Sequence, residues 1–132
     1  MSSIFVNPEI VTVRYIVNDV PSSVKFYSEL LGFEIVINPP RGFAMLAMGN
    51  LRLLLNEPGA GGAGQSMQDG TSPQPGGWAR IQLQTQDIAS AIETLRGQNV
   101  QFRSELVMGN GGQQILLQDP SGNLIELLEP KR

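Results

Sequence analysis

The strongest constraint in this sequence is that its two halves resemble each other. The segment Val11–Tyr27 aligns with the segment Ala79–Leu95, and this alignment places Asp19 on Asp87. In each copy, alternating apolar and polar residues precede the aspartate, and apolar residues at helical spacing follow it. Such internal repetition predicts two modules of the same structure, each beginning with a strand and a helix.

Each predicted helix is followed by three further strand-like runs, so each module is expected to be βαβββ. The runs cover residues 33–38, 43–48 and 51–56 in the first half and residues 100–106, 113–118 and 124–129 in the second. The predicted fold class is therefore α+β, with residues 1–132 forming one domain. Within it, module one is expected at residues 9–57 and module two at residues 78–130.

Residues 58–77, which join the two modules, are rich in glycine and proline. This composition predicts a mobile loop rather than a further helix or strand. A connection of this length inside a compact domain is usually either a lid over a site or a disordered segment. Both interpretations are compatible with the sequence.

The chain contains no cysteine and no histidine. The absence of cysteine excludes thiolate nucleophiles and zinc–thiolate sites, and the absence of histidine excludes serine–histidine mechanisms. Because the net charge is -3 and no run of Lys or Arg occurs, no nucleic-acid partner is expected. The sequence also lacks a signal peptide and a long apolar stretch, so we expect a cytoplasmic protein with no membrane partner.

Glu126 is the most unusual residue of the last predicted strand. It shares one strand face with Leu124 and Leu128, and a face exposed to solvent would not normally carry two leucines around a single acid. The corresponding face of the first module-two strand carries Arg80 and Gln82. This mixture of apolar and polar side chains is typical of the wall of a ligand site.

Two motifs give the sequence a specific resemblance. Asp19 to Phe33 reads DVPSSVKFYSELLGF, and Asp119 to Leu127 reads DPSGNLIEL. Together with the two βαβββ halves, these motifs resemble the vicinal oxygen chelate superfamily, which includes glyoxalase, extradiol dioxygenases, thiol-transferring fosfomycin resistance enzymes and bleomycin-binding resistance proteins. The resemblance implies a cup-shaped mixed sheet with the helices on the outside. One fold hosts many functions, so the resemblance does not specify a reaction.

The resemblance also implies where a metal would be held. Members that use a metal place ligands at four points, which correspond here to Thr12, Leu54, Arg80 and Glu126. Only Glu126 is a good ligand, and a catalytic metal normally needs about three protein ligands. We therefore expect no functional metal and no cofactor. Instead, we expect an ion pair between Arg80 and Glu126, which serves either a bound ligand or the structure alone.

The expected function is metal-independent binding of a small molecule, such as the sequestration of an antibiotic or another natural product. Relatives of the bleomycin-resistance branch imply a homodimer, and the arginines here favour a flat or apolar ligand with acidic or carbonyl groups. The alternative is an enzyme of the same superfamily that uses Glu126 as a general base. The residues expected to contact the ligand are Thr12, Arg14, Phe43, Met45, Arg52, Leu54, Trp78, Arg80, Gln82 and Glu126.

Overall fold

The computed structural model describes Ile4 and residues 9–132 of the chain. The chain divides into two compact units, Met1–Gln74 and Pro75–Arg132. Each unit contains one mixed sheet with a helix between its first and second strands. This arrangement confirms the α+β class and the repeated order of elements.

The first unit contains a four-stranded sheet in the order β1-β4-β3-β2. Its elements are β1 (Val11–Ile16), α1 (Val20–Lys25), β2 (Glu34–Ile37), β3 (Phe43–Met48) and β4 (Leu51–Asn56). Strand β1 runs parallel to β4, while the other neighbours are antiparallel. The predictions for β3 and β4 are confirmed, and β2 is shorter than predicted.

The first helix is less regular than its sequence pattern predicts. After α1 the chain continues as a π-helical turn over Phe26–Leu30. A π turn contains more residues than an α turn, so the buried stripe loses its spacing. Tyr27 is fully buried, but Leu31, which the regular pattern places in the same stripe, is only half-buried. The rings of Phe26 and Phe33 pack edge-on against Tyr27 with centroids 5.0 and 5.6 Å away.

The second unit contains a five-stranded sheet in the order β5-β9-β8-β6, in which β7 also pairs with β8. Its elements are β5 (Arg80–Gln84), α2 (Ile88–Gly97), β6 (Gln101–Phe102), β7 (Val107–Gly109), β8 (Gly112–Gln118) and β9 (Leu124–Pro130). Strand β5 runs parallel to β9, and the remaining pairs are antiparallel.

The predicted strand at residues 100–106 is wrong as a continuous element. The chain leaves the sheet after β6 and returns as β7, and the hydroxyl of Ser104 replaces the missing backbone partner. The Leu116 N–H donates to Ser104 Oγ at 3.0 Å, next to a backbone bond of 2.8 Å from Arg103 N to the Leu116 carbonyl. The interruption is a β-bulge, which hydrophobic alternation does not reveal.

The core of each unit lies between its helix and one face of its sheet. The fully buried side chains on these faces include Leu46, Leu53, Leu55, Ile115, Leu117 and Ile125. The alternation before Asp87 predicts that Ala79, Ile81 and Leu83 meet the second helix, but Ala79 precedes β5 and is exposed. Ile81 is buried as expected, and Leu83 is half-buried.

The connection at residues 58–77 contains turns but no helix or strand. Its first part is held by internal hydrogen bonds, including Gly59 N to the Gly64 carbonyl at 2.6 Å and Gly64 N to the Ala60 carbonyl at 3.0 Å. The turn at Asp119 is also present, since Gly122 N donates to the Asp119 carbonyl at 3.0 Å. No helix in the described part of the chain is long and apolar enough to cross a membrane.

Candidate functional site

Glu126 lies in the middle of β9, between β5 and β8. Its neighbours in register are Gln82 on β5 and Leu116 on β8. Only 7% of the residue is exposed. A carboxylate this deeply buried must be compensated by hydrogen bonds or by an opposite charge.

Arg80 and Gln82 provide this compensation. Arg80 donates from Nε at 3.0 Å and from Nη2 at 2.9 Å to Glu126 Oε1, and Gln82 Nε2 donates to Oε2 at 2.6 Å. The predicted ion pair is therefore present. Both guanidinium nitrogens share one carboxylate oxygen because Gln82 occupies the other. The result is a three-residue network in which the carboxylate accepts three N–H donors.

Arg80 also connects this network to Trp78, which precedes β5. The Nη1 atom of Arg80 donates to the Trp78 carbonyl at 3.2 Å. The Trp78 side chain remains largely in solvent, with 64% of the residue exposed. Arg103 lies over its ring, with the guanidinium carbon 5.2 Å from the ring centroid. No sequence pattern identified Arg103, since it reaches the ring only because the chain bends after β6.

A small cavity lies beside Glu126 where the bulge interrupts the edge of the sheet. Its volume is about 90 Å³, and its walls are Arg80, Ser104, Val107, Gln114, Ile115, Leu116 and Glu126. This space corresponds to roughly three water molecules, well below the roughly 300 Å³ of a typical ligand pocket. The cavity can accommodate a substituent, but it cannot accommodate a whole drug-sized molecule.

The first unit presents a second group of predicted site residues on the face of its sheet opposite α1. We call this surface the helix-free face. The strand register places the predicted residues in cross-strand rows, with Thr12 beside Arg52 and with Arg14, Leu54 and Met45 side by side. Phe43 lies on the same face, one row further along. The structure thus brings Thr12, Arg14, Phe43, Met45, Arg52 and Leu54 onto one surface.

The two arginines of the helix-free face differ in their surroundings. Arg52 folds back on its own hairpin, where Nη1 donates to the carbonyls of Gly49 at 2.9 Å and Leu51 at 3.2 Å. Arg14 is exposed and has no hydrogen-bond or ion-pair partner among residues 9–132 and Ile4. Arg14 is therefore the one of these two arginines whose side-chain N–H groups are available to a ligand.

Asn56, at the end of β4, is a polar residue of the helix-free face that sequence reasoning missed. It is 3% exposed, and its Nδ2 donates to the Ala60 carbonyl at 3.4 Å. Its Oδ1 is the single buried side-chain oxygen or nitrogen without a hydrogen-bond partner in the described part of the chain. The sequence shows only an asparagine before a turn, which is an ordinary position for that residue.

The residues at the four expected metal points do not form a suitable donor set. Threonine, leucine and arginine are not ordinary ligands, and the permanent charge of Arg80 repels a cation. The carboxylate of Glu126 is already engaged by three N–H groups. Among the described residues, no group of three or more His, Cys, Asp or Glu side chains could hold a metal ion. The residues at these four points therefore do not fit the metal that enzymes with this fold use.

Comparison with known families agrees with the fold and the motifs. A family model described as the Glyoxalase/Bleomycin resistance protein/Dioxygenase superfamily matches residues 9–127. A crystal structure of a member of that superfamily from Sphaerobacter thermophilus DSM 20745 shares 28% sequence identity with the chain. The match covers 91% of this chain and 95% of the Sphaerobacter thermophilus chain, with a TM-score of 0.71.

Two further solved structures share the fold at lower identity. TnmS3, an antibiotic binding protein from Streptomyces sp. CB03234, is 21% identical, with a TM-score of 0.72 and coverage of 96% of this chain and 99% of that chain. A lactoylglutathione lyase from Agrobacterium tumefaciens is 18% identical, with a TM-score of 0.71 and coverage of 95% and 96%. Sequence identity at this level shows the shared fold alone. In a separate comparison, no curated protein matches the chain.

Proposed function

The chain belongs to the glyoxalase/bleomycin resistance protein/dioxygenase superfamily, and from this premise we propose that it binds a small molecule without the help of a metal. The observation that carries the proposal is the closed network of Arg80, Gln82 and Glu126. The guanidinium of Arg80 neutralises Glu126, which is the one residue at the four expected metal positions that could have bound a metal. Binding must then rely on side chains rather than on a metal ion.

The ligand is a flat or apolar molecule that carries acidic or carbonyl groups. Each unit offers contacts for such a molecule on its own: in the second unit, Trp78 presents an exposed ring on which an aromatic system can stack. Phe43 and Met45 provide half-buried apolar contacts on the helix-free face. Arg14 supplies a positive charge for an anionic or carbonyl oxygen. This chemistry matches many natural products, and TnmS3, which shares the fold, is an antibiotic binding protein.

We assign the protein to sequestration, the tight binding of a natural product without chemical change. A homodimer is part of this proposal, because a second copy would help to enclose a ligand that a sheet face leaves open. Analytical ultracentrifugation at micromolar concentration tests the dimer. A monomer with unchanged ligand affinity would refute that part while leaving the binding function intact.

The binding function is tested with naphthoate as an anionic probe, naphthylmethylammonium as a cationic probe and naphthalenemethanol as a neutral probe. Trp78 is the only tryptophan, so its fluorescence reports on binding at this ring. We expect the anionic probe to bind most tightly and to raise the melting temperature. The same series is repeated after treatment with a chelator and after addition of manganese, zinc or nickel. Probe binding that appears only with a metal would refute the proposal.

A second candidate function is catalysis with Glu126 as a general base, and the small cavity beside this carboxylate is the observation that favours it. The cavity would admit the reacting substituent of a substrate to the carboxylate. Glu126→Gln distinguishes the two functions. Loss of turnover with retained binding identifies an enzyme, whereas bound ligand recovered unchanged from both forms identifies a binding protein.

A further inference from the structure

The internal repeat allows the two units to be compared residue by residue at equivalent strand positions. Arg14 and Leu54 are cross-strand neighbours in the first unit, and Gln82 and Glu126 are the corresponding neighbours in the second. In the second unit, the polar groups at these positions satisfy one another through the network with Arg80. In the first unit, Leu54 has no polar group to offer, so Arg14 lacks an equivalent partner.

The next cross-strand row differs in the same way. Ile16 pairs with Asn56 in the first unit, and Gln84 pairs with Leu128 in the second. Leu128 shows that this strand position accepts an apolar side chain. Asn56 instead buries an amide oxygen that has no partner. A buried acceptor without a donor is unfavourable in the free protein. Such a group in a folded protein calls for an explanation, such as a functional role or a bound water or ion.

Arg14 and Asn56 lie close enough to act on one molecule. They lie on neighbouring strands, two residues apart along the sheet. Strands are about 4.8 Å apart and each residue advances the chain by about 3.3 Å, so the two Cα atoms are separated by roughly 8 Å. The side chain of Arg14 is long enough to span part of this distance. The half-buried ring of Phe43 pairs with Asn56 on its other side.

We propose that Arg14 and Asn56 form a polar anchor for the ligand in the first unit. Arg14 donates to an anionic or carbonyl oxygen, and Asn56 Oδ1 accepts from a hydroxyl or N–H group of the same molecule. The ligand class is thus an apolar aromatic body that carries a carboxylate or carbonyl together with a nearby hydrogen-bond donor. This inference rests on the proposed binding function and specifies its ligand. The network of Arg80, Gln82 and Glu126 is then a structural element of the second unit.

Three matched probes test the anchor by isothermal titration calorimetry. Naphthoate carries the anion, naphthol carries the donor, and meta-hydroxynaphthoate carries both, with its hydroxyl too far from its own carboxylate to donate to it. The wild-type chain is expected to bind meta-hydroxynaphthoate roughly two- to tenfold more tightly than naphthoate, which is the effect of one added hydrogen bond. Naphthol is expected to bind roughly tenfold more weakly than meta-hydroxynaphthoate, because it lacks the charge-assisted bond to Arg14.

The variants take their residues from the second unit. Asn56→Leu introduces the residue type at position 128, and Arg14→Gln introduces the residue type at position 82. Asn56→Leu should abolish the preference for meta-hydroxynaphthoate over naphthoate while both still bind. Arg14→Gln should abolish the preference for the carboxylates over naphthol. Arg41→Gln, which removes another exposed arginine of the first unit, should leave all three affinities unchanged.

The possible outcomes separate this inference from the proposed function. If Asn56→Leu keeps the hydroxyl preference or Arg14→Gln keeps the carboxylate preference, the anchor is refuted while ligand binding stands. If the wild-type chain binds none of the probes, both the binding function and the anchor are refuted. Leucine is larger than asparagine, so Asn56→Ala provides the same comparison if Asn56→Leu does not fold.

Discussion

Glu57 and Glu129 have the same role in the two units: each carboxylate accepts a hydrogen bond from the first backbone N–H of the helix in its unit. Glu57 Oε2 lies 2.8 Å from Val20 N, and Glu129 Oε1 lies 2.9 Å from Ile88 N. Glu57 directly follows β4, Glu129 is the next-to-last residue of β9, and each is followed by a proline. In each unit, the glutamate side chain therefore links the end of the last strand to the start of the helix.

Glu129→Ala is expected to destabilise the second unit. The substitution leaves the Ile88 N–H without its acceptor and removes a negative charge from the positive end of α2. Loss of a helix-capping acceptor typically costs about 1 kcal/mol, so the urea midpoint and the melting temperature should both fall. Glu129→Gln keeps a side-chain acceptor and should cost less. Glu93→Ala, an exposed change on the same helix, serves as the control, and equal melting temperatures for Glu93→Ala and Glu129→Ala would contradict this role.

Removal of one member of the Arg80–Glu126 pair should be worse than removal of both. Arg80→Met leaves a buried carboxylate with only Gln82 as a donor. Loss of one partner of a fully buried pair costs about 3–5 kcal/mol. The Arg80 side chain is 34% exposed, so solvent screening should reduce this to roughly 1–3 kcal/mol.

A double-mutant cycle measured by urea unfolding checks this expectation. Glu126→Leu introduces the residue type found at the equivalent position 54, so it should be tolerated when Arg80 is also replaced. We expect the variant with both Arg80→Met and Glu126→Leu to be more stable than the variant with Arg80→Met alone. If the changes in the free energy of unfolding caused by the two substitutions simply add, the two side chains are not coupled.

Acid should weaken the start of α1 through Asp19. The pKa of this carboxyl is lowered from its ordinary value of 3.8, chiefly by the hydrogen bond from the Ser22 backbone N–H and then by the Ser22 side chain. Because the folded-state pKa is lowered, the stabilisation is present above the ordinary pKa and is lost as the pH falls through the folded-state value.

Asp19→Asn tests this pH dependence. Asparagine can still cap the helix but cannot titrate. Between about pH 5 and about pH 2, the wild-type chain should therefore lose more stability than the variant. The measurement is the urea midpoint of both proteins across this range. Parallel curves would indicate that Asp19 is not responsible for any of the acid sensitivity.

Features set by local periodicity could be predicted from the sequence, and features set by a single bend or contact could not. Strands β3 and β4 coincide with the two strand-like runs predicted at residues 43–48 and 51–56. The Arg80–Glu126 pair followed from the family resemblance, which implies that both residues stand at positions where metal-using members hold their metal. The bulge at Ser104 was missed, since a hydroxyl that replaces a backbone partner leaves no periodic signal.

The polar residues of the helix-free face show the same limit. The alternation in β4 predicts which face Asn56 occupies, but it does not predict that its Oδ1 lacks a donor. The shortage of partners depends on the turn that follows, where Ala60 offers a carbonyl and not an N–H. A comparison with Leu128 would have drawn attention to Asn56, because the repeat places an apolar residue there.

Arg103→Gln should expose the face of Trp78 that the arginine covers. Arg103 and Arg96 provide a matched pair, because each guanidinium carbon lies 5.2 Å from an aromatic ring centroid, that of Trp78 for Arg103 and that of Phe102 for Arg96. Since Trp78 is the only tryptophan, quenching of its fluorescence by acrylamide measures access to this ring alone. Arg103→Gln should increase quenching, and Arg96→Gln should leave it unchanged. Equal quenching in the wild-type chain and in Arg103→Gln would show that Arg103 does not shield the ring.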